Sequence, residues 1–182
     1  TSVHSSSENT LYNRDDRVIP GFKAMMDAVR PYGMRMFQQL FHGGHHTFAE
    51  GGMPPWSASE IPSPAINAVP VAMDEERIAL IIDAFAQAAR RCREGGLDGV
   101  EIHAAHGYLI HQFLSPLTNR RTDRWGGSFE NRTRFLREIL RAVRKVVDED
   151  YVVGARFAAS EAPGSLDEAA VVEIVSSLTA EG

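Results

Sequence analysis

The sequence predicts an α/β protein. Two observations carry this: short apolar runs of strand type alternate with segments of helical period, and the candidate helices are bracketed by cap residues. A third bears on function, because both long connections in the pattern leave the carboxyl end of a predicted strand.

Each element has a local reason. Pro20 opens a helix over residues 20–31, where its fixed φ suits the first turn and its missing N–H is not needed. Gly33 leads into a strand over residues 34–40. Asp74 is the N-cap of a second helix, whose stripe of Ile78, Ile81, Ile82, Phe85 and Ala89 follows the i, i+3, i+4, i+7 rule and whose end is marked by Gly95-Gly96. Residues 98–103 form a short strand. Ser128 caps a third helix carrying Phe135, Leu136, Ile139, Leu140 and Val143, residues 151–157 are the next strand, and a last helix starts near Asp167. Strands separated by helices pair in parallel, buried between layers. The long connections are residues 43–73 and 104–127. In barrels and doubly wound sheets ligands bind at that end of the strands, and loops of this length in a compact domain are usually functional.

The chain reads as one partial domain, residues 1–182, cut at both ends. Thr1-Ser2-Val3-His4 has the character of a strand's final residues. The helix ending Arg93-Glu94-Gly95-Gly96 is echoed by Thr179-Ala180-Glu181-Gly182, with no strand after it.

Composition narrows the function classes. At 43% hydrophobic residues the chain has material for a sizeable core, and a net charge of −5 gives no electrostatic footprint for nucleic acid or an anionic membrane. A small-molecule partner is expected. Cys92 is the one cysteine, so no intrachain disulfide forms, and no apolar run reaches the roughly 20 residues that span a bilayer. With no secretion leader, the expected location is the cytoplasm.

The segment from Glu101 to Pro116 concentrates polar chemistry at one strand tip: His103, His106 and Tyr108. Neutral imidazoles donating two N–H bonds to one oxygen would polarise a conjugated carbonyl, and a phenol across the alkene could protonate the carbon that receives no hydride. Spacing leaves other readings open. These could be loop histidines satisfied by backbone carbonyls, or His103, His106 and His111 could bind metal, with His42, His45 and His46 as a second cluster in a zinc-hydrolase alternative. No metal is the preferred expectation, since His111 lies in an apolar run that begins a helix and no carboxylate or cysteine completes a tetrahedral set.

The run His103-Ala-Ala-His106-Gly-Tyr108-Leu-Ile-His-Gln-Phe-Leu-Ser-Pro, followed by Asn119-Arg-Arg-Thr-Asp-Arg-Trp-Gly-Gly-Ser-Phe-Glu-Asn-Arg132, closely resembles the Old Yellow Enzyme (NADH:flavin oxidoreductase) family. The likeness extends from Thr1-Ser2-Val3-His4 through Gln39-Leu40-Phe41-His42-Gly43-Gly44 to Gly154-Ala155-Arg156. It implies a TIM (β/α)8 barrel, of which this chain is a central piece from the end of strand 2 to helix 5, with FMN at the carboxyl ends of the strands and NAD(P)H as reductant. A full barrel takes about 250 residues, so the isolated piece is expected to be inactive. His103 and His106 match the pair that binds the substrate's electron-withdrawing group, and Tyr108 the proton donor. Gln39 and Arg156 match flavin contacts: an amide can pair with donor and acceptor on the pyrimidine ring, and a guanidinium favours negative charge there.

Residues 119–127 read as a salt-bridged connection fixing the helix that Ser128 opens, and Trp56 with Pro54-Pro55 as a structural segment or part of a substrate lid. Gly44-His45 stands where the family commonly shows Gly-Arg, which leaves that loop's contacts open. Methylamine dehydrogenases of the same barrel typically carry tyrosine in place of His103, so the histidine pair resembles the enone-reducing members; amine oxidation and dienoyl-CoA reduction are the runner-up activities. The latter branch adds 4Fe-4S and FAD domains. A homo-oligomeric parent is compatible with all of these.

Overall fold

A computed structural model describes residues 11–47, 52–63, 66, 68–159 and 165–179. The strand end expected at residues 1–4 and the helix-ending signal at residues 180–182 lie outside them.

Helix α1 (Ile19–Val29) starts with proline in its first turn and buries Phe22 and Met26. Strand β1 (Phe37–Leu40) follows, then two very short strands, β2 (Trp56–Ser57) and β3 (Val71–Ala72). Helix α2 (Glu75–Glu94) is capped by Asp74, whose side chain accepts the Arg77 N–H, and it buries Ile78, Ile81, Phe85 and Ala89. Each large apolar side chain so buried contributes about 2 kcal/mol. Strand β4 (Gly99–Ala104), a short helix α3 (Leu109–Leu114) and helix α4 (Phe129–Arg144) come next, the last capped by Ser128 accepting the Asn131 N–H. Strand β5 (Val152–Phe157) and helix α5 (Glu168–Thr179) complete the described chain.

The strands form a parallel sheet in the order β1-β4-β5, with β2 and β3 paired separately, also in parallel. The two faces of the larger sheet differ sharply. Leu40, Val100, Ile102 and Ala104 pack against α2 and α4 in one core with Ile81, Phe85, Phe135 and Ile139. Gln38 shares that face, accepting hydrogen bonds from the Asn13 amide and the Cys92 thiol of α2. The opposite face carries Phe37, Gln39, Glu101, His103, Val152 and Arg156, as the period of two requires, with Phe37 48% and Val152 50% exposed. A parallel sheet with its helices on one face and inward side chains in rows on the other is an arc of a (β/α)8 barrel. Among the described residues no helix is long and apolar enough to cross a membrane.

The first strand begins three residues later than its apolar run suggests. Asp98 explains this: its carboxylate accepts the Met36 N–H and pairs with Arg30 and Arg35, while its own N–H bonds the Met36 carbonyl. Residues 34–36 are thus held by one side chain ahead of the ladder. Burial would raise the Asp98 carboxyl, but the hydrogen bonds from Arg30, Met36 and Arg35 outweigh it and bring it down to about 2.

Candidate active site

The site is assembled by β4 and the turn that follows. His103 is the penultimate residue of β4, 5% exposed, and its Nδ1 accepts the Ala105 N–H at 3.3 Å. That bond leaves the ring proton on Nε2, so the free nitrogen of His103 is a donor. Burial first, then the adjacent His106 and Arg156, hold the imidazole down to about 4 against a smaller opposing pull from Glu101. At neutral pH the ring is uncharged.

The chain then reverses through two left-handed residues, His106 at φ 58° and Gly107 at φ 75°. His106 is the one non-glycine residue with positive φ among those described, a conformation that costs roughly 1 kcal/mol or more and is held by its surroundings. Here Gly107 donates its N–H to His111 Nδ1 at 2.7 Å, and its carbonyl accepts from Gln112 Nε2 at 2.6 Å. A Cβ at Gly107 would lie 2.6 Å from His46 Nε2, so no larger residue fits. The result is an exposed His106 whose ring stands perpendicular to that of His103, centroids 5.0 Å apart. Tyr108 closes the turn as the N-cap of α3, its ring 5.1 Å from His103 at 80° and 5.3 Å from Phe41. His103, His106 and Tyr108 therefore share one strand tip.

Gln39 and Arg156 flank this group, each penultimate in its strand. Parallel register pairs His103 with Arg156 and Gln39 with Glu101. The Gln39 amide donates to the Glu101 carboxylate at 2.5 Å. Arg156 makes no ion pair among the described residues, whereas most other arginines are tied down.

Sequence reasoning passed over Gln112. It is fully buried in α3, and its Oε1 accepts from the His45 N–H and the Ser57 hydroxyl, while its Nε2 donates to the Gly43 and Gly107 carbonyls. One amide thus joins the loop after β1, strand β2 and the turn after β4. Gly44, at φ 60°, has no room for a Cβ, which would lie 2.2 Å from Gln112 Oε1. A polar residue inside an apolar helical run was the available signal. Glu101 was also overlooked, although it lies two residues before His103 on the same strand face.

His42, His45 and His46 have structural partners, as His111 does. His42 Nδ1 accepts the Gly44 N–H, His45 Nδ1 bonds the Ile61 carbonyl, and His46 Nδ1 meets Ser63 Oγ. Burial lowers the pKa of His45, His46 and His111 below the ordinary imidazole value. Among the described residues no three His, Cys, Asp or Glu side chains are grouped to hold a metal ion. The arginine-rich connection is likewise structural: Arg121 pairs with Asp123 and donates to the Ala58 and Met73 carbonyls, and Arg124 pairs with Glu75, which ties this segment to the one between β2 and α2. Trp56 sits in β2 with the Arg77 guanidinium 5.4 Å above its ring.

The model of the NADH:flavin oxidoreductase / NADH oxidase family matches residues 2–179. The chain belongs to this family. Among its relatives, an NADPH dehydrogenase of Bacillus subtilis is 47% identical over 133 residues, 73% of this chain and 39% of the relative. An N,N-dimethylglycine/sarcosine dehydrogenase of Chromohalobacter salexigens is 47% identical over 148 residues, 80% of this chain and 21% of the relative. In structure it superimposes on a 2-naphthoyl-CoA reductase in complex with 2-naphthoyl-CoA at a TM-score of 0.84 and 35% identity, covering 91% of this chain and 27% of that one. The chain thus spans well under half the length of these relatives.

Proposed function

We propose that this segment supplies the substrate-holding and proton-donating part of an FMN-dependent oxidoreductase that reduces the C=C bond of an α,β-unsaturated compound at the expense of NAD(P)H. The observation that carries the reading is the placement of His103: buried, its Nδ1 occupied by the Ala105 N–H so that Nε2 is left to donate, perpendicular to His106 and beside Tyr108. An oxygen about 2.9 Å from each imidazole could accept from both rings. Two such donors withdraw electron density from a conjugated carbonyl and make its β-carbon electrophilic. Tyr108 donates its phenolic proton to the α-carbon and recovers it from solvent.

The residues at the strand ends suit a flavin. The Gln39 amide offers an acceptor and a donor, and Arg156 an uncommitted guanidinium, a set that fits the alternating carbonyl and N–H groups of the pyrimidine edge. FMN bound there would accept hydride from NAD(P)H and deliver it to the substrate's β-carbon. Such an enzyme would work in the cytoplasm on a small molecule.

A second reading, oxidation of a secondary or tertiary amine, is favoured by the dimethylglycine/sarcosine dehydrogenase relative, whose segment is as similar as that of the NADPH dehydrogenase. The naphthoyl-CoA reductase likeness extends the first reading to unsaturated acyl thioesters, including dienoyl-CoA, for which 4Fe-4S and FAD domains would accompany the barrel. Anaerobic incubation of the FMN-loaded full-length protein, with NAD(P)H and 2-cyclohexenone in one sample and with sarcosine alone in another, separates the two. Stoichiometric saturation of the alkene supports the proposal; bleaching of the flavin by sarcosine, with the enone untouched, selects amine oxidation.

A further inference from the structure

The inward-facing side chains of the sheet stand in three rows. Phe37, Gly99 and Val152 form the lowest, and the Phe37 ring lies across Gly99, where a Cβ would meet it at 2.4 Å. Gln39, Glu101 and Gly154 form the middle row, and His103 with Arg156 the uppermost. A carboxylate in the middle row is unexpected, since barrel interiors are filled mainly by bulky apolar side chains. On its β5 side Glu101 faces Gly154, which has no side chain, and on its β1 side it accepts the Gln39 amide.

We propose that Glu101 is a positioning residue of the flavin site: it fixes the orientation of the Gln39 amide and, together with Arg156, sets the charge felt at the cofactor's pyrimidine edge. An unrestrained glutamine amide can present its two ends interchangeably. Only Nε2 can donate to a carboxylate, so the bond to Glu101 commits that end, and Oε1 with the remaining N–H is left for a ligand. The carboxylate of Glu101 and the guanidinium of Arg156 lie close enough to His103 to act on it with opposite signs. They oppose each other at the flavin in the same way. Removing Glu101 therefore makes negative charge on the cofactor easier to hold, and removing Arg156 makes it harder.

The inference rests on the reading that Gln39 and Arg156 contact flavin, and the test separates the two. In the FMN-loaded protein, FMN dissociation constants and midpoint potentials are measured for Glu101→Gln, Glu101→Leu, Gln39→Leu, the double Leu variant and Arg156→Met. Glu101→Gln can still accept from Gln39 through its own carbonyl, so it is expected to keep FMN affinity while raising the midpoint potential, opposite in sign to Arg156→Met. Glu101→Leu is expected to weaken FMN by about tenfold, one hydrogen bond's worth of about 1.4 kcal/mol. The double variant should be no weaker than Gln39→Leu alone, because Glu101 acts through that amide. Additive losses in the double variant, or a potential unmoved in Glu101→Gln while Arg156→Met shifts it, would overturn the inference alone. If Gln39→Leu and Arg156→Met change neither affinity nor potential, the flavin-contact reading itself fails.

Discussion

His111 Nδ1 accepts the Gly107 N–H at 2.7 Å, so a histidine one turn into α3 holds the left-handed turn that presents His106. This bond needs an unprotonated Nδ1. Burial, then the nearby His106 and His46, lower the His111 pKa from its ordinary value, so the unfolded chain takes up the proton more readily than the folded one. The stabilisation is complete above about pH 6.5 and is lost as the pH falls below it. Urea unfolding of wild type and His111→Leu from pH 8 to pH 5 should show a stability difference that narrows with acidification. A difference independent of pH would remove the imidazole from this role.

His103 should remain neutral over a wider range. Its pKa is held down to about 4, so the ring stays neutral, with Nδ1 accepting the Ala105 N–H and Nε2 donating, until the pH falls through that value. Imidazole resonances assigned to His103 should titrate near pH 4, and binding of a phenol should not change from pH 8 to pH 5 through this group. A midpoint near 6.5 would mean that the ring is solvated and not preset as a neutral donor.

Gln112 predicts a coupled loss of stability and of site geometry. Gln112→Leu leaves the His45 N–H, the Ser57 hydroxyl and the Gly43 and Gly107 carbonyls without their shared partner, at a cost of about 3 kcal/mol in urea unfolding. Phenol binding should weaken as well, because the turn carrying His106 loses one of its two anchors. A variant as stable as wild type would mean that water or repacking satisfies all four groups.

Arg156→Met should lower the flavin midpoint potential and slow flavin reduction by NAD(P)H, since a cation next to the cofactor favours the reduced, more negative form. Potentiometric titration of the FMN-loaded protein checks this, and an unchanged potential would leave Arg156 a structural residue.

Much of this was legible in the sequence, and the reasons it was not complete are physical. Asp74 and Ser128 revealed the starts of α2 and α4 because capping is a local interaction, and the chain alone shows it. Gln39, His103 and Arg156 could be placed at strand ends from their apolar neighbours. The β2 and β3 pairing was not visible, since a ladder of two residues is too short to show a period of two. Gln112 was passed over because its four partners, all but Gly107 more than fifty residues away along the chain, come together only in the fold. Glu101 became noticeable only through register, which sets it beside Gln39. The left-handed His106 had a weak signal in the glycine that follows it, but the bonds from His111 and Gln112 that hold the turn depend on the folded α3.

The role of Tyr108 at the strand tip is the core of the functional proposal, and rapid mixing of the pre-reduced, FMN-loaded protein with two oxidants tests it most directly. With a simple enone, Tyr108→Phe should slow flavin reoxidation by about 10²- to 10⁴-fold, the usual effect of losing a general acid, while reduction by NAD(P)H stays near wild type. With a nitroalkene the loss should be far smaller, because hydride transfer yields a stabilised nitronate that does not need an immediate carbon proton. Equal losses with both oxidants would contradict the account, and would mean that Tyr108 positions cofactor or substrate and does not deliver the proton.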